Sequence, residues 1–574
     1  MAFIAGENRY QMMYFSLDLL ISDDSLARVI DVFVNGLDLE QMGFKRTVPA
    51  SEGRPAYDPR DLLKLYIYGN CNSVRSSRRL QRECCVNIEV KWLIGDIEPD
   101  FRTISDFRKD NVTCLKKVFH EFNKKVGEVT DYGYQSVDGS KFRACNAKDK
   151  NFTPSKLDDR IKRLDARVDE YLRLLDLSDA DEGEGEGEEL KGQFSKTELE
   201  EKIAASAERK ERYESYLKYM EENGLSQISL TDPDAKLMKG GNGFLVAHNV
   251  QTAVDSETHM ILNYEVTDHP TDHGLLRSTL ESVKTDGEIL EAVADKGYAE
   301  TEDMAECLES GIIPNVIMPE GKDVYELEIP FEECPDAENL KANTDAESLK
   351  KCLRSGNVPE TYEDIIEKIE IVEKTVICRE APENASIPQS KDEMIRRAGE
   401  GYFVRDPERD CVYCPAGEIL RKKSDRKNGD VRYANRLACS RCPHKSLCTK
   451  SKWKEVDFPQ YSYEKQCVGW RRNTEGEPTT EQLDTTQVKK RTPIKKTVKK
   501  VVRFVFRPDR KKMANRKCLS EHPFGTIKRA LNGSYFLLKG RKKVTGEFAL
   551  ISLAYNLKRA AGLLGFGQIM AAMR

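Results

Sequence analysis

The spacing of apolar positions changes along this chain, and each change marks a different kind of element. Residues 1–125 carry helical spacing. After Asp58-Pro59, a capping carboxylate followed by a proline suited to the first helical turn, Leu62, Leu63, Tyr66 and Ile67 supply one apolar face. At residues 134–141, YQSVDGSK, the pattern becomes that of a short buried strand with Asp138 in its middle. Two heptad runs follow. Ile161, Leu164, Val168, Tyr171 and Leu175 step by three and four; Leu199, Ile203, Tyr213, Leu217 and Met220 keep that register, with Ser206 and Lys210 in its two middle slots. The pair predicts an antiparallel coiled-coil hairpin at 155–225, for which packing within one chain is the simpler account and dimer contact the other.

Beyond the hairpin, strand and helix periods alternate. Residues 244–255 and 260–266 predict adjacent strands around a turn at Ser256 and Glu257, followed by a helix at 269–283, a strand at 289–294, a helix at 302–310 and a strand at 312–318. Antiparallel strands first, then strands alternating with helices, predict an α/β fold: a mixed sheet flanked by helices. Asp295 directly follows the 289–294 strand. Residues 320–400 are acidic and irregular in period, and residues 548–557, FALISLAYNL, predict a buried helix that closes the core.

Composition adds limits. At 574 residues the chain exceeds one ordinary core, and three or four domains, or a core with large insertions, are expected. A charged content of 33% and a mean hydropathy of -0.61 predict a soluble protein. The apolar run at 12–21 is interrupted by Asp18 and shows neither a basic leader nor a small-residue cleavage site, and no stretch approaches the roughly 20 apolar residues of a membrane span. The expected location is the cytoplasm, in association with the nucleoid. The net charge of -5 conceals a segregation. Residues 179–189 are nearly all Asp, Glu and Gly and predict a solvated linker, whereas residues 488–517 are dense in Lys and Arg and lead directly to Glu521.

Asp138 beside Gly139 would by itself suit a turn. Its weight comes from partners: Asp295, and Glu521 in SEHPFG, expected to open a basic amphipathic helix. Two Asp and one Glu offer the hard oxygens that Mg2+ prefers. Arg75, Arg78, Arg79 and Arg82 fall at i, i+3, i+4 and i+7, a stripe that suits phosphates and acidic neighbours equally well. Asp232 and Asp234, in SLTDPD, suit capping and turn chemistry. The 16 Cys do not form a disulfide framework in a long intracellular chain. Five have zinc-ribbon spacing: Cys411-x2-Cys414 and Cys439-x2-Cys442-x5-Cys448. With His444 they compete for four places, Cys411, Cys414, Cys439 and Cys442 being the first choice and Cys448 the substitute; reduced, unligated thiols are the competing account.

A strand Asp, a second strand Asp and a late helical Glu resemble the catalytic carboxylates of DDE transposases, whose core is an RNase H-like domain. The local strings are most similar to those of bacterial insertion-sequence transposases. In particular, residues 100–109, DFRTISDFRK, resemble a motif of their N-terminal helical domain, where terminal-repeat binding is generally placed, and this favours DNA as the partner of the Arg stripe. The likeness covers most of residues 55–315 and 400–560. It implies Asp138, Asp295 and Glu521 as catalytic ligands of two Mg2+ or Mn2+ ions, with Asp138 bridging both. It also implies phosphate contacts from an Arg shortly before Glu521 and a Lys seven residues after it. Lys528 fills the second place; Arg516 and Lys517 are adjacent candidates for the first, and Met513 and Ala514 stand where the family's aromatic is expected.

The organisation expected on this basis is a helical DNA-end-binding domain at 1–125 and a first part of the catalytic core at 126–320, interrupted by the hairpin. An insertion at 321–510 carries the Cys-rich module at 400–455, and a C-terminal part of the core at 511–574 carries the third carboxylate. The resemblance implies a transposase that binds the terminal inverted repeats of an insertion sequence in double-stranded DNA, cleaves and transfers strands into target DNA, and works as a homodimer or higher oligomer away from any membrane. The alternatives are a nuclease of the same fold without strand transfer and a catalytically silent DNA-binding derivative.

Overall fold

A computed structural model describes residues 14, 16–49, 52, 55–146, 150–181, 196–222, 225, 227–240, 243–281, 287–320, 322–335, 337–379, 390–426, 430–459, 462–466, 471–472, 478–479 and 494–574. The chain forms two units. One comprises Met1–Thr153, Gln227–Ile371 and Val502–Arg574; the other, built from two stretches distant in sequence, comprises Pro154–Ser226 and Val372–Val501.

The first unit is organised by a mixed sheet of β1 (Gln135–Arg143), β2 (Gly243–Asp255), β3 (Ile261–Thr267), β4 (Leu290–Ala294) and β5 (Ile312–Val316). β1 is antiparallel to β2, and β2 to β3; β1 is parallel to β4, and β4 to β5, giving the order β3-β2-β1-β4-β5. Lys236–Gly240 adds a hairpin strand to the start of β2. The alternation of a strand sorts its side chains between two cores. Phe142, Val250 and Val254 join the helices of residues 26–127 and the C-terminal helix, while Val137 and Ala253 face Leu276, Met304, Leu308, Phe504 and Phe506.

Residues 1–125 were expected to form a domain of their own. Over the described residues they are helical, but Phe33, Leu63, Ile67, Phe119 and Phe122 lie in one continuous core with Tyr264 of β3 and Phe548 of the C-terminal helix. That helix, Arg541–Met573, breaks at Gly565, whose φ of 73° is non-helical. Its first turns are anchored by the SLTDPD segment: Asp232 accepts a hydrogen bond from the Gly540 amide and faces His248, and Asp234 accepts from the Arg541 amide. These are the capping roles expected of the pair. Gly546 lets the helix approach residue 112 closely, since a Cβ there would fall 2.2 Å from the Val112 carbonyl oxygen.

Two elements differ from expectation. The helix predicted over 269–283 is restricted, among described residues, to α1 (Leu276–Glu281), because Pro270 and a left-handed Gly274 hold the preceding segment in turns. Glu521 does not open a helix. α2 spans Arg510–Arg529, with Asp509 capping it through the Lys511 and Lys512 amides, and Glu521 and Pro523 both lie inside it.

The basic run before α2 has acidic partners. Its residues 494–506 form a strand, Ile494–Phe506, between the strands Ile366–Arg379 and Tyr325–Pro330. Arg503 pairs with Glu370 and Glu328, Arg507 with Glu367, Arg510 with Asp323 and Lys512 with Glu291. Residues 480–493 lie outside the described residues.

In the second unit, helices Pro154–Asp181 and Lys196–Glu222 pack side by side and antiparallel, as Arg160 meeting Tyr213 and Lys210 meeting Asp165 require. Leu157, Ile161 and Leu164 are buried on one helix and Leu199, Leu217 and Met220 on the other. Leu175 and the acidic linker at 182–195 fall outside what is described of side chains and backbone, respectively. A six-stranded antiparallel sheet follows, in the order Glu455–Phe458, Val431–Ala434, Ile419–Asp425, Cys411–Tyr413, Tyr402–Asp406, Glu464–Gln466. Arg441, on the short helix after Val431–Ala434, pairs with Asp158 of the first long helix.

Candidate active site

The parallel register of β1 and β4 ends at Val137↔Ala294. Asp138, in the middle of β1, and Asp295, just past the carboxyl end of β4, are therefore the next residues in register on two adjacent parallel strands. Asp295 caps a 3-10 turn, Lys296–Tyr298, by accepting from the Lys296 amide. Asp138 accepts from the Gly139 amide at 2.9 Å. The glycine is required by a close approach: a Cβ at 139 would fall 2.4 Å from Gln251 Nε2 and 2.6 Å from Asp272 Oδ1.

Asp272 was not foreseen. Its Oδ1 accepts from Lys141 Nζ at 3.1 Å and from Asn249 Nδ2 and Gln251 Nε2 at 2.8 Å each. Gln251 in turn accepts from the hydroxyl of Tyr298, a buried residue that feels the charges of Asp272, Asp138 and Asp295 together. The signal available in the sequence was a polar alternation inside an otherwise apolar strand: Gln251 pairs in register with Gly139, and Asn249 with Lys141.

α2 packs over β1, β2, β4 and β5. Its inward face carries Arg516 and Ser520, one turn apart. Arg516 Nη1 lies 3.9 Å from Asp138 Oδ1; the side chain is nine-tenths buried, and neither its Nε nor its Nη1 has a hydrogen-bond partner. Burial pushes Asp138 above the ordinary carboxylate range, outweighing the Arg516 charge, the Gly139 amide and the Ser520 hydroxyl, and Asp272 adds to the upward push. Burial acts on Asp272 as well, but its donors Asn249, Lys141 and Gln251 prevail and hold it below that range. Lys528 reaches β1, donating to Ser140 Oγ at 2.5 Å and to the Lys141 carbonyl at 3.3 Å. Lys517 and Glu521 are exposed, and no hydrogen bond or ion pair among the described residues joins Glu521 to Asp138 or Asp295. On a helix of 3.6 residues per turn, however, Lys517, Glu521 and Lys528 share one strip beside the Arg516–Ser520 face.

The donors fit a hard divalent cation. Asp138 and Asp295 offer carboxylate oxygens, and an ion beside the burial-raised Asp138 would relieve the cost of its charge. Among the described residues, no group of three or more His, Cys, Asp or Glu side chains is arranged to hold a metal ion.

The remaining expected residues are divided. Arg75 is not part of a surface stripe: the helix Ser77–Val86 begins after it, and the guanidinium is buried, bonded to the Asn532 and Tyr535 carbonyls and paired with Glu547 at 2.6 Å. Arg78, Arg79 and Arg82 are exposed on that helix, Arg78 lying over the Phe101 ring. Phe101 begins the neighbouring helix Phe101–Asn111, capped by Asp100 through the Arg102 and Thr103 amides. In the second unit Cys414, Cys439, Cys442 and Cys448 line one cavity, whereas Cys411 packs elsewhere, against Met394 and Ala398.

Comparison with known families gives two matches. The model of a transposase domain (DUF772) matches residues 15–110, and that of a transposase DDE domain matches residues 413–561, a stretch that includes Glu521 and Lys528 but neither Asp138 nor Asp295. No curated protein matches the chain. One transposase model thus covers the N-terminal helices and a DDE model covers α2; together these matches support an insertion-sequence DDE transposase, and the DDE domain implies an RNase H-like core.

Proposed function

We propose that this transposase binds the terminal inverted repeats of its element and catalyses metal-dependent cleavage and transfer of DNA strands. The observation that carries this is that Asp138, within β1, and Asp295, just past the end of the parallel strand β4, follow the last residues of a shared register, with a buried Arg516 carrying unsatisfied donors beside Asp138. Asp138, Asp295 and Glu521 are the residues that would hold two Mg2+ or Mn2+ ions. When bound, such ions activate a water or 3'-hydroxyl on one side of the phosphate and stabilise the leaving oxygen on the other.

The protein's own groups position the DNA. Arg516 has free N–H donors for a phosphate oxygen, Lys517 adds an exposed charge on the same helix, and Lys528 ties α2 to β1. End binding falls to the helices of residues 1–125 through Arg78, Arg79 and Arg82. The paired long helices form a coiled-coil hairpin inserted into the core, and a dimer or higher oligomer brings two ends together.

The test is a pre-nicked terminal-repeat duplex incubated with Mg2+, with cleavage and joining scored separately. Asp138→Asn, Asp295→Asn and Glu521→Gln should each abolish cleavage while end binding persists, and Ca2+ should support binding without turnover. A variant that cleaves at near wild-type rate removes that residue from the site. Cleavage by the wild type without joining would make the protein a nuclease.

A further inference from the structure

The Cys-rich sheet carries a site that the DNA chemistry does not use. Cysteines three apart were expected to form a pair, Cys411 with Cys414, but Cys411–Tyr413 is a strand, and strand residues alternate between faces. Cys411 and Tyr413 therefore point one way, into a cluster with Met394 and Ala398, while Val412 points the other way, against Phe403 and Leu420. Cys414 lies past the end of the strand, where the chain turns back through Pro415, Ala416 and a left-handed Gly417, and it packs on the Val412 side.

On that side Cys414 meets the other three. Cys439 and Cys442 come from the helix Arg436–Arg441 and the residue that caps it, and Cys448 ends the helix Lys445–Cys448. The four thiols line one small hollow of about 30 Å3. His444 lines a separate hollow with Cys442 and Arg441. Backbone amides are aimed at the sulfurs: those of Glu418 and Ala416 at Cys414, and that of Lys454 at Cys439. An amide hydrogen bond favours a thiolate over a neutral thiol. Lys445 and Lys454 also line the cavity, where two cations would offset the doubly negative charge of one Zn2+ with four thiolates. As placed, the sulfurs line the hollow without closing on one point.

We propose that Cys414, Cys439, Cys442 and Cys448 bind one structural Zn2+, and that Cys411 is a core residue outside the site. On binding, four S–H protons pass to solvent and four Zn–S bonds form at ~2.3 Å, which leaves no open position for a substrate. The ion would join the hairpin turn after Cys411–Tyr413 to the two short helices.

The experiment measures metal content and free thiols on the full-length protein purified under reducing conditions. The wild type should hold about one zinc per chain, released by a chelator together with four newly reactive thiols. Cys411→Ser should keep the zinc; Cys414→Ser and Cys448→Ser should lose it. Co2+ exchanged into the wild type reports the ligands without mutation, through the absorption of a tetrahedral all-thiolate site. Retention in Cys448→Ser with loss in Cys411→Ser would overturn the ligand set. Absence of zinc from the wild type, with Co2+ failing to give a thiolate spectrum, would overturn the site and leave four reduced thiols packed as small hydrophobes.

Discussion

Replacing Arg75 separates a DNA contact from a structural tie. Arg75 and Glu547 are 5% and 4% exposed, with Nη2 2.6 Å from Oε1, and the same guanidinium also donates to the Asn532 and Tyr535 carbonyls. Removing one partner of a buried pair costs about 3–5 kcal/mol, because a charge is left without compensation. Glu547 retains hydrogen bonds from the Leu537 and Leu538 amides, which places Arg75→Ala toward the lower end, near 3 kcal/mol. Arg75→Met with Glu547→Gln removes both charges and should recover a large part of that loss. Urea unfolding gives the stabilities, and titrations of terminal-repeat and random duplex across a salt series give the binding. Arg75→Ala should lower stability without changing the ratio of the two affinities, whereas Arg78→Ala with Arg79→Ala should lower the ratio without changing stability. An Arg75→Ala protein within about 1 kcal/mol of wild type that has lost its preference for terminal repeats would refute the burial argument.

Gly139→Ala places a methyl group against Gln251 and Asp272 and should cost about 1–3 kcal/mol of stability through overpacking; cleavage of a pre-nicked duplex should fall with end binding unchanged, and wild-type cleavage would show that the Asp272 network has no bearing on Asp138. Asp138 and Asp272 should respond oppositely to pH in urea unfolding with chelator present. Asp138 has a folded pKa above its unfolded value, so its charge opposes folding at neutral pH; Asp138→Asn should be the more stable protein there, with the advantage fading as pH falls through the folded pKa toward 3.8. Asp272 has a depressed folded pKa, so its contribution is present above 3.8 and lost as pH falls through the folded pKa; Asp272→Asn should be destabilised at neutral pH only, and equal behaviour of the two variants would contradict the assignment.

The central sheet was legible because burial forces a period on it. Strands sandwiched between two cores are enriched in apolar residues on both faces, and the apolar runs around Ala253 and Val293 are bounded by turns that fix their ends. Residues whose roles depend on register or on a distant partner were not legible. Asp272 sits in a turn, and its importance comes from Asn249 and Gln251 on β2 and Lys141 on β1. Arg75 matched a helical stripe in spacing, but Ser76 caps the helix and leaves Arg75 outside it. Glu521 was expected to open its helix, but the actual start at Asp509 was hidden in a Lys-rich run with no apolar period. Cys411 fitted a metal spacing that holds only when the intervening residues turn, and here they extend.

The same distinction favours Arg516 over Lys517 as the proposed phosphate contact. Three cations surround Asp138 and Asp272, and two are already engaged: Lys141 by the Asp272 carboxylate, Lys528 by Ser140 and a strand carbonyl. Lys517 faces solvent, where a phosphate contact would be screened and worth little. Arg516 alone is buried beside Asp138 with donors unsatisfied. A buried guanidinium with unsatisfied donors is costly, and under the proposed function the cost would fall as a phosphate oxygen enters the space facing it. Because Arg516 and Ser520 share the inward face of α2, that phosphate would lie against the same turn of helix that presents Glu521 one residue further on. Under the proposed function, a helix that grips the phosphate with one face and offers Glu521 from the adjoining strip would couple DNA binding to completion of the acidic set, and the Asp138 charge that opposes folding would be compensated as DNA and metal arrive.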